Sequence, residues 1–297
     1  MAKINRPVGV IGTGLMGTAC AKRLLAAGFG VLGYDADAAK LKTLEASGGR
    51  AAHSLAEIAN ACDIAVLAVF NTAQVEDVLE GPGGLAAART GGAEPLTVLC
   101  VSTCDPDRIT ALAARLPGKH LRFVEAPVSG TSEQTARGEA LGLIGGDRAA
   151  ADAARAVIEA ICPRWHYLGA AGNGGRAKLA INLILGINRA ALAEGLVFAE
   201  RMGLDPAAFL PVARDSAAYS QIMDIKGGKM LAGDFTPQGY VTQSLKDFSL
   251  MLDQARRVKQ RLPLGEIYAG LMEGCVANGE GELDNSAVIR EIRRRTG

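Results

Sequence analysis

The chain has 297 residues, enough for two domains of ordinary size. Hydrophobic residues make up 49% and charged residues 21%, and no uninterrupted apolar run reaches the roughly 18 residues of a bilayer span, so a soluble globular protein without a membrane partner is expected. Lys plus Arg number 32 against 31 Asp plus Glu, and a net charge of +1 lacks the field of a nucleic-acid binder, which points to a small-molecule partner.

The opening MAKINRPVGVIG passes into an apolar strand without a small-residue cleavage site, so no signal peptide and a cytoplasmic location are expected. From Pro7 to about Leu168, short β-branched runs alternate with Ala/Leu-rich helical stretches, the pattern of βαβ units building a parallel-rich sheet over a first domain, 1–168. Strands are predicted at Val8 to Ile11, Val31 to Tyr34, Ile64 to Val69, Val98 to Val101, Arg122 to Glu125 and Leu141 to Ile144. Ser54 with Glu57 reads as a capping box, and Asp105 before Pro106 as a helix start. Gly81-Pro82-Gly83-Gly84 and Gly91-Gly92 read as loops.

The first strand runs directly into Gly12-Thr13-Gly14-Leu15-Met16-Gly17, which opens a helix ending near Gly28. In that context GxGxxG is a dinucleotide-binding signature: Gly12 permits the tight turn, Gly14 leaves room for a pyrophosphate, and Gly17 lets helix pack on strand. The phosphates would lie on the helix N-terminus. Asp35 ends the second strand with no arginine in the next residues, which favours NAD over NADP, although capping of the following helix by Asp35 or Asp37 is the plain alternative. Asn71 and Thr103 follow later strands at the carboxyl edge of the sheet, where they can contact a cofactor or simply make turns. Cys20, Cys62, Cys100, Cys104, Cys162 and Cys275 form no CxxC pair and read as buried reduced thiols, with no metal site.

Beyond Gly169 the strand signal ends, and a second, all-α domain is expected over 169–297. Its first helix, Gly175 to Met202, is apolar on more than one stripe and is expected between the domains and against a second subunit, giving a homodimer or homotetramer. Further helices are predicted around Pro206 to Ala218, Val241 to Lys259, Leu264 to Ala277 and Asn285 to Arg295, the last ending in an arginine cluster that suits a helix C-terminus. His53, His120 and His166 lie in no recognisable motif, whereas Lys178 and Asn182 share one face near the start of the long helix. An amine and an amide on an apolar helix are costly to bury unless they serve a ligand, so Lys178 is either a snorkelling or a catalytic lysine.

Four blocks in order, GTGLMGTACAKRLLAAG at 12–28, EAPVSGTSEQTARG at 125–138, GNGGRAKLAIN at 172–182 and KDFSLMLDQA at 246–255, resemble the β-hydroxyacid dehydrogenases typified by 3-hydroxyisobutyrate dehydrogenase. The resemblance spans the chain and includes the closing Gly281 to Ala287. It implies a Rossmann-type domain joined by a long helix to an all-α domain, and hydride transfer between a short-chain β-hydroxy acid and NAD. Lys178 would be the general acid/base, Asn182 would hold the substrate hydroxyl, and Ser129 and Gly130 would anchor its carboxylate with Thr131 beside them. Thr103 and Lys246 would reach the cofactor, and Asp247 would orient that region. Two departures bear on the substrate. Thr131 stands where the family usually has a second glycine and would change the polar lining, and Gly239 stands where many relatives have an aromatic residue, with Tyr240 adjacent. The 6-phosphogluconate dehydrogenases have a histidine where this chain has Ile181, and imine reductases usually lack the lysine. Semialdehyde and glyoxylate reductases share all the motifs, and Asp35 argues against their usual NADPH. A non-catalytic NAD-binding protein would have no need of Lys178 and Asn182.

Overall fold

The structure is a computed structural model and describes residues 6–89 and 94–295; Gly91-Gly92 and residues 1–5 of the opening stretch, on which the expectation of no signal peptide rests, lie outside the described residues. Contacts divide the chain into two units, Met1–Lys178 and Leu179–Gly297, each with its own core.

The first unit runs β1 (Val8–Ile11), α1 (Leu15–Ala26), β2 (Val31–Tyr34), α2 (Ala38–Ala46), β3 (Arg50–Ala51), α3 (Leu55–Ala61), β4 (Ile64–Leu67), α4 (Thr72–Glu80), α5 (Leu85–Ala88), β5 (Leu96–Cys100), α6 (Pro106–Arg115), β6 (Leu121–Glu125), β7 (Val128–Ser129), α7 (Ser132–Arg137), β8 (Leu141–Gly146), α8 (Arg148–Ala153), α9 (Arg155–Ile161) and β9 (Arg164–Tyr167). The sheet order is β3-β2-β1-β4-β5-β6-β8-β7, with β9 on β8. Strands β1 to β6 pair in parallel, and β8 is antiparallel to β6 and β7. Strands β1, β4 and β5 are buried along their whole length because helices cover both faces of a parallel sheet. In β1, Val8 and Val10 enter one core while Ile11 enters the other, as the period of two requires. The order reverses between β1 and β4, so the crevice outside their carboxyl ends is the expected ligand position.

Strands β3, β7 and β9 are absent from the sequence reading. β3 and β7 are two residues long, and β9 offers only Trp165 and Tyr167 to the core. Ser54 does cap α3, accepting from the Glu57 N–H at 3.2 Å, but the Glu57 carboxylate turns back to the His53 N–H rather than to Ser54. All six cysteines are buried and unbridged, and burial pushes the Cys62 and Cys162 thiols up to about 11, which leaves them unreactive.

The long helix α10 (Asn173–Arg201) crosses from the first unit into the second, which continues with α11 (Pro206–Asp215), α12 (Gln221–Ala232), α13 (Val241–Arg257), α14 (Pro263–Ala277) and α15 (Val288–Arg295). Gly203, with φ 89°, ends α10 and Asp205 caps α11. Helix α11 stops at Asp215 rather than Ala218, and residues 285–287 form a 3₁₀ turn ahead of α15. No helix was expected at α12, which carries the Gly227-Gly228 pair. Gly227 is instead a packing site, where a Cβ would lie 2.8 Å from Leu210 of α11. By length and mean hydropathy α10 is, among the described residues, the one helix long and apolar enough to cross a bilayer, although Asn182, Asn188 and Arg189 interrupt its apolar run. Leu192, Ala193, Leu196 and Val197 are nevertheless buried in the core of the helical unit, while Ile184, Phe198 and Met202 are exposed. The terminal arginines are ion-paired: Arg293 with Glu200, Arg294 with Glu280 and Glu291, and Arg295 with Glu291.

Candidate active site

The glycine-rich turn follows β1 at the crevice. Gly12 has φ 87°, and a Cβ on it would lie 2.5 Å from the Ala68 carbonyl; one on Gly17 would lie 1.8 Å from the Gly12 carbonyl. Both glycines are therefore demanded by the protein's own backbone. Gly14 is different, because a Cβ there would meet nothing within 4 Å. Its bareness fits a ligand passing close to the chain. Gly14 is also the N-cap of α1 and supplies no side chain to the first-turn N–H groups around Leu15, Met16 and Gly17, which are thus suited to phosphate oxygens.

Asp35 organises this turn. One carboxylate oxygen accepts the Thr13 N–H at 2.7 Å and the Thr13 hydroxyl at 3.2 Å, and the other accepts the Asp37 N–H at 2.9 Å. Asp37, not Asp35, caps α2. At the carboxyl end of β4, Asn71 caps α4 through the Gln74 N–H at 2.9 Å, and Thr72 accepts the Asp105 N–H at 2.9 Å. Thr103 is buried beyond β5. Gly12 to Gly17, Asp35, Asn71 and Thr103 thus gather along one sheet edge, and their geometry fits a dinucleotide.

The segment after β6 forms a second cluster. Ser129 ends β7, and Gly130 adopts φ 152° where a Cβ would lie 2.9 Å from that of Ala140. Thr131 starts α7 with a reciprocal capping box: its hydroxyl accepts the Gln134 N–H at 3.1 Å, and its own N–H donates to the Gln134 side chain at 2.9 Å. The hydroxyl expected to alter the polar lining therefore serves as a helix cap. Lys178 is 8% exposed and donates from Nζ to the Val128 carbonyl at 2.7 Å, beside Ser129. It is a buried lysine rather than a snorkelling one.

Glu125, at the end of β6, opens the block at 125–138 but was given no role from the sequence. It is buried, and its carboxylate accepts the N–H groups of Gly172 and, at 3.0 Å, Gly175 at the start of α10. Burial pushes this carboxyl up, with the Gly172, Gly175 and Gly174 N–H groups pulling in the opposite direction.

Within the helical unit, Asn182 donates to Asp247 at 2.9 Å, and the other Asp247 oxygen pairs with Lys246 at 2.9 Å. A second buried pair explains part of the closing motif. Lys226 contacts both oxygens of Asp284, at 2.9 and 2.8 Å, and Asp284 also accepts the Gln238 and Ser286 N–H groups. Burial pushes Lys226 down to about 8 against the pull of Asp284. His53, His120 and His166 take no part in these clusters.

Residues 7–169 match the family described as the NAD binding domain of 6-phosphogluconate dehydrogenase, and residues 172–292 the family described as NAD-binding of NADP-dependent 3-hydroxyisobutyrate dehydrogenase. The chain belongs to the β-hydroxyacid dehydrogenase family. It is similar to L-threonate dehydrogenase of Cupriavidus necator, with 36% identity over 97% of this chain and 96% of the relative. Among solved structures, 3-hydroxyisobutyrate dehydrogenase from Salmonella typhimurium superposes with a TM-score of 0.87 at 30% identity, covering 96% of this chain and 99% of that one. Psf3 in complex with NADP+ and 2-OPP superposes at 0.88 with 25% identity, covering 95% and 99%. The chain is thus a hydroxyacid dehydrogenase built on a nicotinamide-dinucleotide domain.

Proposed function

We propose that this dehydrogenase oxidises a short-chain β-hydroxy acid with NAD, with Lys178 as the general base in that direction and the general acid in reverse. The observation that carries the reading is the buried Lys178 amine, held at 2.7 Å on the Val128 carbonyl next to Ser129 and Gly130. Bound nicotinamide supplies the hydride acceptor for oxidation and the donor for reduction. The substrate hydroxyl proton needs a base within hydrogen-bond reach, and Lys178 is the titratable side chain in place. The Ser129 hydroxyl and the backbone beside Gly130 make a small nest for the substrate carboxylate. Asn182, one turn beyond Lys178, orients the hydroxyl and is itself oriented by Asp247.

Preference for NAD is supported by Asp35, whose carboxylate at the end of β2 disfavours a 2′-phosphate. The exposed Ile184, Phe198 and Met202 of α10 support a homodimer or homotetramer, and six unbridged cysteines support a reducing, cytoplasmic setting. The experiment is a screen of short 3-hydroxy acids and sugar acids with NAD and NADP separately, followed by nicotinamide absorbance. Turnover of at least one β-hydroxy acid, faster with NAD, is expected; turnover of none, in either direction, would overturn the proposal.

A further inference from the structure

We infer that Glu125 is a positioning residue for the reaction, holding the first turn of α10 so that Lys178 meets the substrate; the inference rests on the reading of Lys178 given above. The carboxylate sits in a slot walled by glycines. A Cβ on Gly145 would lie 2.8 Å from one of its oxygens, a Cβ on Gly175 would lie 2.9 Å from the other, and a Cβ on Gly174 would lie 3.1 Å from the Glu125 Cβ. Gly175 of the GNGG element is therefore accounted for by the Glu125 side chain, and Gly174 by the Leu143 carbonyl, 2.8 Å from where its Cβ would lie, together with Glu125, rather than by a ligand. The two oxygens accept the Gly172 and Gly175 N–H groups, which a helix start otherwise leaves unpaired. A negative charge there also suits the positive end of a 29-residue helix.

The same short segment of chain grips α10 twice. Glu125 holds its first turn, and the Val128 carbonyl receives the Lys178 amine one turn later. Without the first grip, the start of α10 can shift against β6 and β7, and the amine shifts relative to Ser129 and Gly130. Displacements of that kind cost rate steeply while leaving the glycine turn at β1, and so dinucleotide binding, intact.

The test compares Glu125→Gln, Glu125→Asp and Lys178→Ala. Glu125→Gln keeps the volume but loses the charge and turns an NH₂ group toward two N–H donors. Its kcat should fall about tenfold to a hundredfold, with NAD affinity by calorimetry unchanged within about twofold, and the Gly172 and Gly175 amides should exchange faster with solvent. Glu125→Asp keeps the charge with a shorter reach and should be the faster of the two variants. A role in packing alone predicts the opposite order, and that order would overturn the inference. If Glu125→Gln does not fold, Gly175→Ala presses on the carboxylate without removing its charge; it should lower kcat at constant NAD affinity, and an unchanged kcat would overturn the inference. Lys178→Ala separates the two claims. An inactive Lys178→Ala beside a fully active Glu125→Gln refutes only the positioning role, whereas an active Lys178→Ala refutes the reading of Lys178 beneath it.

Discussion

Asp35 does two separable things, and two substitutions distinguish them. Its charge discriminates against a 2′-phosphate, and its oxygen holds the Thr13 N–H at 2.7 Å, bracing the turn between Gly12 and Gly14. Asp35→Asn removes the charge but keeps an oxygen for Thr13, while Asp35→Ala removes both. A hydrogen bond to a charged group contributes about 1.5–3 kcal/mol, and because Asp35 is half-buried the lower end applies, equivalent to about a tenfold effect. The wild-type enzyme should favour NAD over NADP in kcat/KM by at least about tenfold, or roughly 1.4 kcal/mol. Asp35→Asn should bring that ratio near unity while kcat/KM with NAD stays within about threefold of wild type. Asp35→Ala should narrow the ratio equally but leave kcat/KM with both cofactors about tenfold below that of the Asp35→Asn enzyme. Initial rates at varied cofactor and saturating substrate give all six values. Equal wild-type activity with NADP, or an Asp35→Asn enzyme that still rejects NADP, would refute the reasoning.

The remaining predictions concern the helical unit. Asp247→Ala releases Asn182 and Lys246 together and should lower kcat/KM for the hydroxy acid by about tenfold or more, measured by steady-state kinetics on a variant with native circular dichroism. Asp284→Ala strands the buried Lys226 ammonium and should cost about 3–5 kcal/mol in urea unfolding, whereas the double change Lys226→Met with Asp284→Leu should cost far less. Burial pushes Asp284 up, but the Lys226 ammonium and the Gln238 N–H hold it below its ordinary range. Its ionised form therefore stabilises the fold fully above about pH 4, and this contribution is lost as pH falls through the depressed value, so the double variant should show a shallower acid loss of melting temperature. Light scattering at micromolar concentration should give a dimer or larger, and Phe198→Glu on the exposed side of α10 should weaken it; a monomeric wild type with full activity would count against the assembly.

Much of the nucleotide half was legible because parallel strands buried on both faces are unbroken apolar runs, and because Gly12 and Gly17 are forced by backbone clashes that leave a fixed spacing. The helices of the second unit were legible wherever their caps were, as at Asp205 and Gly203. What stayed hidden depends on contacts distant in sequence. Helix α12 is stabilised at Gly227 by Leu210, which local propensity does not register. Thr131 looked like a lining residue until its partner Gln134 gave the capping box. Glu125 and Asp284 lie in segments that carry the resemblance but had no assigned role there, and only the fold shows that one meets the start of α10 and the other meets Lys226.

Steady-state kinetics of Lys178→Ala, combined with calorimetric NAD binding on the same folded protein, tests the central claim most directly. Loss of the proton-transfer group should lower kcat by about 10² to 10⁴ while NAD binds as before, and Lys178→Arg should fail similarly because guanidinium stays protonated. A Lys178→Ala enzyme that keeps more than about a tenth of wild-type kcat across the pH range would show that another group moves the proton, contradicting the account.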